Sequence, residues 1–321
     1  MHGRYRVRVK NDRNTFQFEL VRNITVLRGE SGRGKSTLFE MIREYNRFGR
    51  NSGVAISCDR NLFALGGEEW EETIAQHKGQ IIVVDEDSRF VRSDDFARFV
   101  KGSDNYFLLI TRNYLPALPI SVDEIYELSG AKNKRFKKIY TDIYKMYNDP
   151  DRRRLPFVPE VIITEDSKSG FQFFRKEAER LGIICESAEG KSNIYRVIQR
   201  YENKNVVVVA NGAAFGAEIH DLVEQQKLRP RKLAMFLPES FEWVILKSGV
   251  VKGIDDEKID QAEMYADSTE FMSWEQYFTL LLQELTKTSG YMKYKKGKLA
   301  NYYTEEKQAA EIRSIMNGIK L

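Results

Sequence analysis

Gly29-Glu30-Ser31-Gly32-Arg33-Gly34-Lys35-Ser36-Thr37 is the stretch on which the fold of this chain turns. Its spacing is G-x-x-x-x-G-K-[ST], and its flanks suit a loop that joins a strand to a helix. Asn23-Ile24-Thr25-Val26-Leu27 enters it with the make-up of a strand, and Leu38-Phe39-Glu40-Met41-Ile42 leaves it with that of a helix. Glycines let a backbone wrap closely around an anion, so that successive N–H groups and the positive helix end point at it. The pattern therefore predicts a phosphate cradle made by Gly29, Ser31, Gly32, Arg33, Gly34, Lys35, Ser36 and Thr37. Lys35 would reach the β- and γ-phosphates of a nucleotide, and the Ser36 hydroxyl would ligate Mg²⁺. A glycine-rich loop that carries GK by chance is the plain alternative, and the strand–loop–helix context argues against it.

Upstream, Tyr5-Arg6-Val7-Arg8-Val9 alternates, Asn11-Asp12-Arg13-Asn14 reads as a turn, and Thr15-Phe16-Gln17-Phe18-Glu19-Leu20 alternates again. That is a β-hairpin with one solvated face. Downstream, the run Ile81-Ile82-Val83-Val84 predicts a buried parallel strand, with Asp85 and Glu86 at its carboxyl end, where α/β sheets place ligands. Asp85 would hold Mg²⁺ through water and Glu86 would polarise an attacking water. A further strand, Tyr106-Phe107-Leu108-Leu109-Ile110, ends in Thr111-Arg112-Asn113.

A hairpin that leads straight into the phosphate-loop strand resembles the start of ATP-binding cassette domains. The segment GESGRGKSTL also resembles the cassette form of the loop, with Ser31-Gly32 in its middle. The resemblance implies Mg²⁺-dependent ATP hydrolysis, with Glu86 and Lys35 as catalytic residues and a γ-phosphate sensor after the next strand. Arg112 stands there where many cassettes have His; it is either that sensor or a surface arginine at a strand end. No guanine-reading N-K-x-D pattern occurs, which favours ATP. About 50 residues separate Lys35 from Asp85, too few for a full transporter cassette, and no LSGGQ signature precedes the acid strand. Leu65-Gly66-Gly67-Glu68 is a turn or a faint echo of that signature acting on another protomer's nucleotide. Cassette sites are usually completed by a second protomer, so a homodimer or larger assembly is expected.

The chain has 321 residues, 42% hydrophobic and 31% charged, enough for two domains with separate cores. Its formal charge of +4 does not by itself imply nucleic acid, so local clusters carry that question. Cys58 and Cys185 lack metal spacing and suit free thiols in a reducing cytoplasm. No apolar run approaches the roughly 20 residues that span a bilayer, so no membrane partner is expected. The N-terminal arginines lack the apolar stretch of a signal peptide.

Residues 131–159 read as a basic linker between a first domain (1–130) and a second (160–321). Lys132, Lys134, Arg135, Lys137, Lys138 and Arg152-Arg153-Arg154 are interleaved with Tyr140, Tyr144 and Tyr147, and Pro150, Pro156 and Pro159 punctuate the end. Such a mixture suits a nucleic-acid backbone with stacked bases, or equally a solvated face with tyrosines packed beneath it. The tail 291–298 poses the same choice.

From 160 the pattern becomes βαβαβα. Strands are predicted at 160–164, 183–185, 206–210 and 233–237, with helices at 171–181, 194–201 and 217–226, a parallel α/β sheet. Amphipathic helices at 239–246 and 274–285 follow. Glu165 closes the first strand and Asn211-Gly212-Ala213-Ala214-Phe215-Gly216 the third. This arrangement resembles the Toprim fold of topoisomerases, primases and OLD-family nucleases. There a Glu after the first strand and D-x-D-x-x-G after the third hold Mg²⁺. On that pattern Glu165 takes the glutamate, Asn211 and Ala213 take the aspartates, and Gly216 takes the glycine. Both aspartates are replaced, leaving Glu165, Asp166 and Glu218 as candidate metal ligands; alternatively, Glu165 and Asp166 simply cap the next helix.

The order of parts resembles OLD-family nucleases and PARIS-type anti-phage pairs. Two functions follow as expectations: an ATPase that controls a Toprim-like module in nucleic-acid-linked work, or a non-cleaving regulatory ATP-binding module with itself or a protein effector as partner. A small-molecule kinase is a third, without an obvious arginine-rich lid.

Overall fold

The computed structural model describes residues 1–29, 33–128, 139–147 and 156–321, with Asp142 as backbone alone. The fold is mixed α/β, with mostly parallel pairing around the two candidate sites. It divides into two units, Met1–Asp149 with Gln261–Met272, and Pro150–Asp260 with Ser273–Leu321.

In the first unit, β1 (Tyr5–Lys10) and β2 (Asn14–Leu20) form a hairpin that pairs Tyr5 with Leu20 and Lys10 with Thr15. Period-two alternation turns Tyr5, Val7 and Val9 inward and Arg6, Arg8 and Lys10 outward. Then come β3 (Ile24–Arg28), α1 (Lys35–Phe48), β4 (Ala55–Ser57), β5 (Leu62–Leu65), α2 (Trp70–Ala75) and β6 (Ile81–Val84). The unit continues with α3 (Asp94–Lys101), β7 (Tyr106–Ile110), β8 (Ile125–Leu128) and β9 (Ile139–Lys145).

These strands make one nine-stranded sheet in the order β4-β1-β2-β9-β8-β3-β7-β6-β5. From β8 to β5 every pairing is parallel, so the carboxyl ends of β3, β7 and β6 lie side by side. All residues of β3, β6 and β7 are buried, as expected of strands covered on both faces. Leu38, Phe39, Met41 and Ile42 of α1 join Phe16, Phe18, Ile81 and Leu108 in one core. Elsewhere in the unit Trp70 stacks on Phe90 (5.1 Å) and meets the edge of Phe96 (5.4 Å). Each such buried side chain contributes on the order of 1.5–3 kcal/mol.

Two arrangements differ from the sequence-based expectation. Part of the stretch read as a linker is strand: β9 lies between β2 and β8, parallel to the first and antiparallel to the second. Ile139, Thr141 and Ile143 alternate along it with Tyr140, Asp142 and Tyr144, and Ile143 packs on the core. Residues Gln261–Met272, expected in the second domain, belong to the first unit. The Gly3 N–H donates to the Glu263 carbonyl (2.6 Å), Arg4 Nη2 to Glu263 Oε1 (2.7 Å), and Asn23 Nδ2 to the Met272 carbonyl (3.2 Å).

The second unit is built on β10 (Val161–Thr164), α4 (Ser169–Leu181), β11 (Ile184–Ser187), α5 (Ile194–Gln199), β12 (Val206–Val209), α6 (Ile219–Leu228) and β13 (Leu233–Phe236). Helices α7 (Phe241–Lys247), α8 (Glu257–Asp260), α9 (Trp274–Thr286) and α10 (Glu306–Ser314) follow. The four strands are parallel in the order β11-β10-β12-β13. The chain steps from β10 outward to β11 and then returns to the other side of β10. A crevice therefore opens between the carboxyl ends of β10 and β12, the switch point at which α/β sheets bind ligands.

Candidate functional site

In the first unit the described part of the phosphate-loop pattern follows β3. Gly29 (φ +124°) and Gly34 (φ +101°) both take backbone conformations that favour glycine. A Cβ on Gly29 would stand 3.0 Å from Cγ of Glu127. Ser31 and Gly32, two of the expected phosphate contacts, lie outside the described residues, as do Lys132, Lys134, Arg135, Lys137, Lys138 and Arg152 to Arg154.

Lys35 opens α1 and is 4% exposed, with Nζ donating to the Gly29 carbonyl at 2.6 Å. Burial pushes its ammonium pKa down, and the Glu86 carboxylate draws it part of the way back. Ser36 and Thr37 are exposed on the first turn of α1. Arg33 Nη1 lies 3.6 Å from Glu127 Oε1.

Asp85 and Glu86 follow β6, and Thr111 and Arg112 follow β7. Because β7 lies between β3 and β6, the end of β7 separates the loop from the acid pair. Arg112 Nε lies 3.0 Å from Glu86 Oε1, with both side chains partly open to solvent. Asp85 Oδ1 is buried and finds no hydrogen-bond partner among the described residues. Burial raises the Asp85 pKa, the Glu86 N–H opposes this, and the charges of Asp87 and Glu86 add to it. Asp85 also lines an open cleft with Phe39, Arg43, Gly66, Gly67 and Glu68. The Leu65-Gly66-Gly67-Glu68 segment thus belongs to the acid side of the same edge.

The unsatisfied Asp85 oxygen after β6 and the exposed Ser36 on the first turn of α1 are the kind of hard oxygen donors that Mg²⁺ asks for. Among the described residues no group of three or more His, Cys, Asp or Glu could hold a metal alone. Ser36 and Asp85 would therefore share the ion with phosphate oxygens and water.

The second unit's crevice is lined by Glu165, Asp166, Asn211, Phe241, Glu242 and Lys296, among others. The Asn211 N–H donates to Glu165 Oε2 at 2.8 Å. Burial pushes the Glu165 carboxyl up to about 7, against the Asn211 hydrogen bond, while the charges of Glu275 and Asp166 add to the rise. Ala213 is buried, and Glu218 Oε2 lies 3.3 Å from Lys191 Nζ. Where the Toprim pattern has two aspartates this chain has the Asn211 amide and the buried Ala213 methyl, the pattern's glutamate, Glu165, is held toward its neutral form, and Glu218 already faces an ammonium. These residues do not fit a Mg²⁺ site.

Sequence reasoning did not find the network behind the crevice. The Tyr294 hydroxyl bonds Ser169 Oγ and Glu242 Oε1, both at 2.6 Å, and Lys296 bonds Glu275. Tyr294 and Lys296 were expected on a basic tail, yet Tyr294 is buried. Lys293, Lys295 and Lys298 remain exposed. Glu127, which meets the loop from β8, was also missed; no local motif marks it, and only the strand order brings it there. Cys58 and Cys185 are free thiols, both half-buried.

No helix among the described residues is long and apolar enough to cross a membrane. Comparison with protein-family models, curated proteins and solved structures finds no match to this chain.

Proposed function

We propose that the first unit is a minimal cassette-like P-loop ATPase and that the second is a Toprim-like module under its control, in nucleic-acid-linked defence or mobile-element work. The observation that carries this reading is the gathering of Lys35, Glu86 and Arg112 at adjoining strand ends, next to the unsatisfied Asp85 oxygen. In this reading the loop from Gly29 to Thr37 binds the phosphates of ATP, and Lys35 exchanges its Gly29 carbonyl for phosphate oxygens. Mg²⁺ held by Ser36 and Asp85 would neutralise charge on the transferred phosphoryl group. Glu86 orients and deprotonates the attacking water, and Arg112 leaves Glu86 for the γ-phosphate. Self-association would complete the site from a second protomer.

A second reading, a regulatory module that binds ATP and cuts nothing, is favoured by the crevice of the second unit. Asn211 and Ala213 supply no charged oxygen there, and Glu165 is held in an environment that favours its neutral form. One assay separates the two: Mg²⁺-dependent cleavage of plasmid and RNA, with and without ATP, by wild type and by Glu165→Ala. Cleavage abolished in the variant supports a working nuclease. Absence of cleavage in wild type, with ATP turnover intact, supports the regulatory module.

A further inference from the structure

We infer that the ring of Tyr144 is the platform on which the base of the bound nucleotide stacks, an inference that rests on the nucleotide reading of the loop. The groups suited to the terminal phosphate, Glu86 and Arg112, follow β6 and β7, on one side of β3. A triphosphate laid along the loop with its γ-phosphate on that side has its nucleoside on the other, over β8 and β9. The partner of β8 in that direction is β9, with Glu127 opposite Tyr144.

Three contacts join Tyr144 to the phosphate loop. Its hydroxyl donates to Glu127 Oε2 at 2.8 Å, Glu127 Oε1 faces Arg33 of the loop at 3.6 Å, and the Glu127 side chain abuts the hydrogen face of Gly29. The hydroxyl is thereby held while the residue stays 45% exposed. An aromatic ring anchored at its polar tip and partly exposed is suited to stacking, because its orientation is set before the base arrives. Glu127 then couples base and phosphate recognition, since one carboxylate holds both the platform and the loop arginine. Stacking reads any base, so this platform sets affinity rather than the choice of adenine.

The test measures binding of ATP and of inorganic tripolyphosphate to the full chain by calorimetry, for wild type, Tyr144→Ala, Tyr144→Phe, Tyr140→Ala and Lys35→Ala. Stacking on an aromatic ring accounts for about five- to hundredfold in affinity. Tyr144→Ala is expected to weaken ATP by that factor and to leave tripolyphosphate within about twofold; Tyr144→Phe keeps most of the ATP affinity. Fluorescence of 1,N6-etheno-ATP supplies a second readout: wild type and Tyr144→Phe quench it on binding, whereas the alanine variant does not. If Tyr144→Ala binds ATP as wild type does while Lys35→Ala loses it, the platform is refuted and the phosphate reading stands. Loss in Tyr140→Ala instead of Tyr144→Ala also refutes it. If wild type binds neither ATP nor tripolyphosphate, the phosphate reading fails and takes the platform with it.

Discussion

Replacing Gly212 by alanine would place a methyl carbon 2.4 Å from the Leu237 carbonyl oxygen and 2.9 Å from that of Pro238. Both are backbone atoms beyond β13, so no side chain can rotate out of the way. To restore ordinary contact the turn after β12 and the turn after β13 must separate by about 1 Å. That movement pulls on the Gly212 N–H to Pro238 carbonyl bond (2.6 Å) and the Ala213 N–H to Glu239 carbonyl bond (3.3 Å). A buried backbone group left unsatisfied costs about 1–3 kcal/mol, and overpacking costs about as much. Gly212→Ala is therefore expected to destabilise the second unit by about 3 kcal/mol. The assay is urea denaturation followed by tryptophan fluorescence and circular dichroism; Trp243 and Trp274 report on this unit and Trp70 on the other. Gly297→Ala is the control, because a Cβ there meets nothing within 4 Å. A Gly212→Ala midpoint no lower than that of Gly297→Ala would refute the close approach that shapes the crevice.

Three further outcomes follow from named contacts. Glu177 is buried and bonded by Arg180 Nη1 (2.5 Å) and by Arg313 on α10. Glu177→Ala leaves the two guanidinium groups with only the exposed Glu306 as a carboxylate partner and is expected to cost about 1–3 kcal/mol in denaturant unfolding. Glu165, at about 7, lies above the roughly 4.3 of an unfolded glutamate. Between those values the folded chain holds more protons, so this group's contribution to stability is full below about 4.3 and gone above about 7. Glu165→Gln should therefore gain stability relative to wild type as pH rises from 5 to 8; a flat difference between the two curves would contradict the burial argument. Arg112→Ala should leave stability within about 1 kcal/mol, since its pair with Glu86 is partly solvated, while ATP turnover falls at least tenfold. Unchanged turnover would make Arg112 a surface arginine.

Strong local patterns made much of the fold legible. Ile81–Val84 and Tyr106–Ile110 are short apolar runs bounded by polar residues, and both are buried strands. The hairpin followed from alternation at Tyr5 to Val9 and Thr15 to Leu20. In the second unit β10, β12 and β13 fall within one residue of their expected ends, because short apolar runs between helices allow little else. Long-range pairing was hidden. Strand β9 reads as linker because its tyrosines lie in a strongly basic stretch that resembles a solvated surface, and its partner β2 lies more than a hundred residues earlier. The site residues with a motif, Lys35, Asp85 and Glu86, were readable by spacing. Glu127, Tyr144 and the Ser169–Tyr294–Glu242 network carry no such spacing; what assembles them is strand order and burial.

The proposed ATPase stands on the gathered groups of the first unit. The most direct measurement is phosphate release from Mg·ATP by wild type and Glu86→Gln, with ATP binding measured on the same samples. Wild type is expected to show slow but clear turnover, and Glu86→Gln a loss of at least a hundredfold with ATP affinity within a few-fold of wild type. Equal turnover in the two proteins would contradict this reading, because Glu86 would then have no part in activating water.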